Sequence, residues 1–231
     1  MRTIGVVGGL GPESTIEYYR MLISAYQRRA GEKNLPHVLI NSIDVYKGLA
    51  LVEGGQLAEL AHYLAAAVQQ LADAGADFAI ISANTPHLVF EEVRKRSTVP
   101  LISIVEAACA AVKQKGIART ALLGTRFTMQ AQFYPEVFSR VGIALVIPKD
   151  SEVAYIHDKY VNELLAGTFS PETRRGLLEI TDRMRREDQI EGVILAGTEL
   201  PLILTGDTAA GVPLFDTTRI HVEAAIARLF S

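Results

Sequence analysis

Three short segments of this 231-residue chain recur, in the same order, in its second half. TIGVVGG, starting at Thr3, is matched by TALLGT, starting at Thr120, which aligns Gly8 with Gly124. ADFAIISANTPH is matched by IEGVILAGTELP, aligning Ala83 with Gly197, and VPLIS at Val99 is matched by VPLFD at Val212. The offsets are 116, 114 and 113 residues, nearly constant. Solenoid repeats have periods of about 20–50 residues, so a period above a hundred indicates a duplicated domain. The chain is therefore expected to form two similar lobes, residues 1–100 with 214–231 returning as a terminal helix, and residues 101–213.

Each repeated segment is a short apolar run ending in glycine or small polar residues. HVLINSID, RTALLGT, ALVIPKD and EGVILAGT are of the same kind: too short for free-standing helices and rich in Val, Ile and Leu, as strands buried on both faces should be. Between them, TIEYYRMLISAYQRRAG, GQLAELAHYLAAAVQQLADAG and PETRRGLLEITDRMRRED place apolar residues on one helical face and charges on the other. This alternation predicts an α/β fold with mainly parallel sheets covered by helices. Ligands of such sheets bind beyond the carboxyl ends of the strands. Two lobes facing each other would put SANTPH and AGTELP on opposite walls of one active-site cleft, suited to a small molecule.

Composition narrows the partners. With 49% hydrophobic residues the chain fills a sizeable core, and a formal net charge of -3 gives no basic field for nucleic acid or anionic lipid. The single cysteine, Cys109, sits in the small-residue run EAACAAV and reads as a packing position. No Cys/His spacing suggests a metal site. The apolar stretch before Gly8 is too short for a signal peptide and no run reaches membrane-span length, so the expected location is the cytoplasm.

Four loops at strand ends carry the candidate chemistry. GGLGPEST, with Gly9, can present backbone N–H groups to an anion, although it lacks the lysine of a P-loop and the dinucleotide spacing. GTRFTM supplies Thr125 and Thr128 as a carboxylate cradle, with Arg126 directed to solvent or paired with a neighbouring acid. Asn84 and Thr85 come from one further loop, Thr198 and Glu199 from another. Any one of these residues also suits helix capping.

In order and across essentially the whole chain, TIGVVGGLGPESTIEYY, ANTPH, LLGTRFTM, GTELPLIL and PLFDTTRIHVEAA resemble the aspartate/glutamate racemase family. The resemblance implies two pseudo-symmetric Rossmann-like lobes, a cleft between them and a homodimer. It further implies a cofactor-independent mechanism in which one thiolate removes the α-proton of an amino acid and a thiol opposite returns a proton to the other face. Those thiols begin the loops that here read Ala83 and Gly197. Neither side chain carries a proton, so the two-thiol mechanism is excluded.

What remains is a set of carboxylate-binding groups around two altered positions. Glu199 and His87 are the titratable residues next to them and the candidates for acid and base. Asn84, Thr85, Thr125, Thr128 and Thr198 are expected to hold the α-carboxylate, and Lys47 to face the side-chain carboxylate of a dicarboxylic ligand. The first functional expectation is a racemase or isomerase acting at the α-carbon of an amino acid or related small carboxylate. The alternatives are a non-catalytic small-carboxylate binder and a lyase or decarboxylase using the same anion cradle.

Overall fold

The computed structural model describes residues 2–231. Its elements follow the order β1 (Thr3–Gly8), α1 (Pro12–Ala30), β2 (His37–Ser42), α2 (Val45–Glu53), α3 (Leu57–Asp73), β3 (Phe78–Ile81), a 3₁₀ turn (Thr85–Val89), α4 (Phe90–Arg96), β4 (Leu101–Ile102) and α5 (Ile104–Gln114). The second half continues with β5 (Arg119–Gly124), α6 (Arg126–Gln130), α7 (Phe133–Ser139), β6 (Ala144–Val146), α8 (Asp150–Asn162), a 3₁₀ turn (Leu164–Ala166), α9 (Pro171–Glu187) and β7 (Gly192–Ala196). It closes with α10 (Leu200–Ile203), β8 (Thr208–Ala209), β9 (Val212–Asp216) and α11 (Thr217–Leu229).

Two compact units result, Met1–Ala107 with Thr218–Ser231, and Ala108–Thr217. The chain thus changes unit within α5 and returns at the start of α11. The first unit holds a parallel sheet of order β2-β1-β3-β4, and the second a sheet of order β6-β5-β7-β9-β8 in which only β8 runs antiparallel, to β9. Leaving β8 aside, the two orders are the same. The repeated segments are the corresponding strands, β1 with β5, β3 with β7 and β4 with β9.

The first sheet is covered on both faces because its strands alternate their side chains. Ile4, Val6, Phe78 and Ile80 pack on Tyr18 and Leu22 of α1 and on Val222 and Ile226 of α11. Val7, Ala79 and Ile81 pack on Leu60, Leu64 and Val68 of α3 and on Phe90 and Val93 of α4. In α3 the buried residues Leu60, Ala61, Leu64, Ala67, Val68 and Leu71 recur at one face of a 3.6-residue period, which is why this segment is a helix. Each such Leu or Ile contributes roughly 1.5–3 kcal/mol by leaving water. In the second unit, Ala121, Leu123, Val193, Leu195 and Leu214 pack against Val153, Ile156 and Tyr160 of α8 and Leu177 and Met184 of α9.

Burial on both faces fails for the edge strands. β2 ends its sheet and leaves His37, Ile40 and Ser42 exposed, because strand order, not composition, decides which strands are flanked. The run VPLISIV is also shorter as a strand than its apolar content suggests. Only Leu101 and Ile102 pair with β3; Ser103 Oγ then accepts from the N–H groups of Val105 and Glu106, and α5 begins at Ile104.

Candidate functional site

In the first unit the loop after β1 is closed on itself. Gly9 adopts φ 76°, a conformation suited to glycine, and a Cβ there would collide with the Ile43 backbone. Its N–H donates to Thr15 Oγ1 at 2.8 Å, and that hydroxyl donates to Gly11 O at 3.2 Å. The Gly9 donor expected to meet an anion is therefore engaged within the loop. Gly11 occupies the cap position of α1 and, lacking a side chain, makes no side-chain cap bond itself.

At the end of β3, Ser82 Oγ donates to Val7 O at 3.0 Å and ties the loop to β1. Ala83 follows, then buried Asn84 and half-buried Thr85. His87 is held at both ring nitrogens: Nδ1 pairs with Ala83 O at 2.9 Å and Nε2 accepts from Ile104 N–H at 3.2 Å. That pairing puts the proton on Nδ1. The ring stacks on Phe90 with 4.6 Å between centroids. Burial, reinforced by neighbouring His221, lowers its pKa to about 3, so the ring is neutral and joins the loop to the start of α5. His221 is likewise buried, donating from Nε2 to Ile102 O at 2.9 Å and accepting from the Tyr18 hydroxyl at 3.0 Å; burial lowers its pKa to about 4. Lys47 is exposed on α2, its Nζ 4.5 Å from the centre of the Tyr63 ring.

In the second unit Thr125 caps α6. Its Oγ1 accepts from Thr128 N–H at 3.3 Å and pairs with the buried Thr128 hydroxyl at 3.2 Å. The Arg126 N–H donates to His157 Nδ1 at 3.3 Å. The two hydroxyls expected to cradle a carboxylate are thus paired with each other inside this unit. Lys159 forms an ion pair with Glu163 at 2.5 Å.

The loop after β7 is arranged differently. Glu199 Oε2 accepts from the Thr198 hydroxyl at 2.8 Å and from the Tyr160 hydroxyl in a very short contact. A Cβ at Gly197 would lie 2.5 Å from Tyr160 Cε2 and 2.6 Å from its phenol oxygen. Burial, and then the charge of Glu199, push the Tyr160 phenol well above its usual pKa, so at neutral pH the proton stays on tyrosine.

A family profile described as Asp/Glu/Hydantoin racemase matches residues 7–225. The chain belongs to this family. It is 24% identical over 231 residues to the broad specificity amino-acid racemase RacX of Bacillus subtilis (strain 168), covering 97% of this chain and 96% of that protein. A crystal structure of an aspartate racemase homologue from Pyrococcus horikoshii OT3 is similar at 32% identity and a TM-score of 0.86, covering 99% of both chains. A Yersinia pestis protein assigned to the Asp/Glu racemases superimposes with a TM-score of 0.93 at 30% identity over 100% of both.

Within this Asp/Glu/Hydantoin racemase fold, the space next to Gly197 is taken by a phenol. Tyr160, in AYIHDKYVNELLAG, is assigned no role from sequence alone. The signal was present: Val153, Ile156 and Tyr160 share one helical face and are all buried, and a buried tyrosine needs a partner for its hydroxyl. Cys109 is buried, its Sγ 4.0 Å from Val137 O, as its small-residue surroundings indicated. Among the described residues no cluster of three or more His, Cys, Asp or Glu is placed to hold a metal, and no helix is long and apolar enough to cross a membrane.

Proposed function

We propose that this racemase-family protein exchanges the α-hydrogen of a small amino acid or related carboxylate without a cofactor, using Tyr160 and Glu199 as the proton-transfer pair. The observation that carries this reading is the Tyr160 hydroxyl, hydrogen-bonded to Glu199 and 2.6 Å from where a Cβ at Gly197 would begin. As the α C–H bond breaks, its proton passes to the phenol oxygen while the phenol proton moves to the Glu199 carboxylate. While the carbanion persists, the protons on the phenol and on Glu199 exchange with solvent; the phenol then returns a solvent-derived proton to carbon as Glu199 gives its proton back to the phenol oxygen. Thr198 donates to Glu199 and holds that carboxylate in place, while hydrogen-bond donors around the substrate carboxylate stabilise the charge it takes up as the carbanion forms. Thr125 and Thr128 shape their loop through their mutual hydrogen bonds, and His87 holds the loop after β3.

A pair acting from one face returns the proton to the side it left, so exchange is expected to outpace inversion. The test is proton NMR of amino acids incubated with the protein in deuterated buffer, with chiral chromatography of the same samples. Loss of the α-signal with slow inversion supports the reading. No exchange by any amino acid overturns it and leaves the alternative of a non-catalytic carboxylate-binding protein. A homodimer in the cytoplasm belongs to the same proposal, and light scattering on the purified protein tests its oligomeric part.

A further inference from the structure

We infer that a cavity at the carboxyl end of the first sheet is a subsite for an uncharged, branched aliphatic side chain. The ligand class is then a small carboxylate with a hydrocarbon substituent, not a dicarboxylate. The inference rests on the small-carboxylate ligand proposed above.

The cavity lies wholly within the first unit and has about 80 Å³ of space. Leu10 after β1, Val45 and Leu49 of α2, Leu60 of α3, and Ala83 and Thr85 after β3 form its walls. None of the residues lining it is charged, and Thr85 supplies the only polar side chain. Ligands of parallel sheets bind beyond the carboxyl ends of the strands, and Ala83 with Thr85 places this cavity at one such end.

The walls are built, not incidental. Asp44 Oδ1 accepts from Tyr46 N–H at 2.8 Å to cap α2, and the Asp44 N–H donates to the Tyr63 hydroxyl at 2.9 Å, which anchors that helix to α3. Leu10, Val52 and Ile43 pack on the core formed by Leu60, Leu64 and Ile81. Leu49 is 40% exposed, so one wall reaches solvent.

Charge decides the chemical class. A carboxylate placed among these side chains would lose its hydration and find no counter-charge, a cost of several kcal/mol or more. Lys47, the cation on α2, is turned to solvent and rests over the Tyr63 ring. An aliphatic group meets no such penalty. One water-sized group needs about 10–15 Å³, so the space holds roughly five to eight such groups, enough for a branched aliphatic side chain.

Gly48 provides a variant that narrows the cavity without disturbing the fold. It lines the space, and a Cβ there meets Leu10 Cδ2 at 3.7 Å, an ordinary contact. Calorimetric titration of the full chain with D- and L-leucine and D- and L-aspartate, for the native protein and Gly48→Ala, is the test. Ala83→Leu fills the same space from the β3 side and serves as a second variant. The expected result is that one leucine enantiomer binds more tightly than either aspartate, that its methyl signals show NOEs to Val45 and Leu60, and that Gly48→Ala weakens it about fivefold or more. Aspartate binding as tightly as leucine, leucine not binding, or leucine affinity unchanged in both variants overturns the inference. α-Hydrogen exchange is read separately. Leucine that binds without exchanging leaves the subsite standing and removes the proposed chemistry; aspartate that exchanges while leucine stays unbound does the reverse.

Discussion

The phenol ring of Tyr160 stands where a side chain at Gly197 would begin. Three of its atoms, Cε2, the oxygen and Cζ, lie 2.5, 2.6 and 2.9 Å from the position of that missing Cβ. Glycine at 197 and tyrosine at 160 are therefore one arrangement: a side chain cannot be added at 197 while the tyrosine ring stays in place. Tyr160 lies on α8 and Gly197 just beyond β7, so the fit depends on how α8 packs against its sheet.

Substituting Gly197→Cys is expected to destabilise the protein by about 1–3 kcal/mol, the usual cost of overpacking. Tyr160→Ala in the same chain should relieve the clash, so the double variant loses less than the two single losses added together. Urea denaturation of the four proteins measures the coupling, and simple additivity would show that the ring does not occupy this place.

Tyr160→Phe keeps the ring and removes the hydroxyl. Glu199 then retains only the Thr198 hydroxyl of the two donors described, at an expected stability cost of about 1–2 kcal/mol. If the pair moves the proton, α-hydrogen exchange falls by about 10²–10⁴-fold while ligand affinity changes little. Glu199→Gln should fall to a similar level. A ring that merely fills space predicts unchanged exchange in Tyr160→Phe.

Two buried histidines set the acid limit of stability. Their pKa values, about 3 for His87 and about 4 for His221, lie below the unfolded value of 6.5. The unfolded chain binds protons that the folded chain refuses. Stability is then flat above about pH 7, falls as pH drops below 6.5, and levels off only below the folded values. Each histidine contributes about 1.4 kcal/mol per pH unit, so the pair removes about 2 kcal/mol between pH 6 and 5, where ordinary carboxylates are still largely charged. Guanidinium melts across that window check this, and His221→Gln should roughly halve the slope.

Thr15→Val leaves the buried Gly9 N–H without its acceptor. An orphaned donor of this kind costs about 1–3 kcal/mol, whereas Thr15→Ser keeps the oxygen and should cost much less. A thermal melt separates the two. Equal melting temperatures would mean that the loop after β1 takes another closed form.

The architecture was legible in the chain because strands and their loops are local. Gly8 and Gly124, Ala83 and Gly197, and Val99 and Val212 marked corresponding strands, and the two sheets repeat the same strand order through them. Cys109 could be read as buried from its small neighbours alone. The loops that hold Asn84, Thr85 and Glu199 were also visible, since small polar residues after an apolar run mark strand ends. Composition did not tell edge from centre: β2 looked as buried as β1, yet sheet order exposes Ile40.

Sequence alone thus determined the fold and where its loops fall, because periodicity and turn chemistry act between residues a few positions apart. Only the tertiary structure decided what each loop residue does. Tyr160 reaches Glu199 across 39 positions and His87 meets Ile104 across 17, distances over which no periodicity operates. Whether Thr125 offers its hydroxyl to a ligand or to Thr128, and whether Gly9 gives its N–H to an anion or to Thr15, depends on backbone angles fixed by packing around them. A polar side chain takes the nearest partner that removes it from water without leaving it unpaired, and that partner is set by the fold.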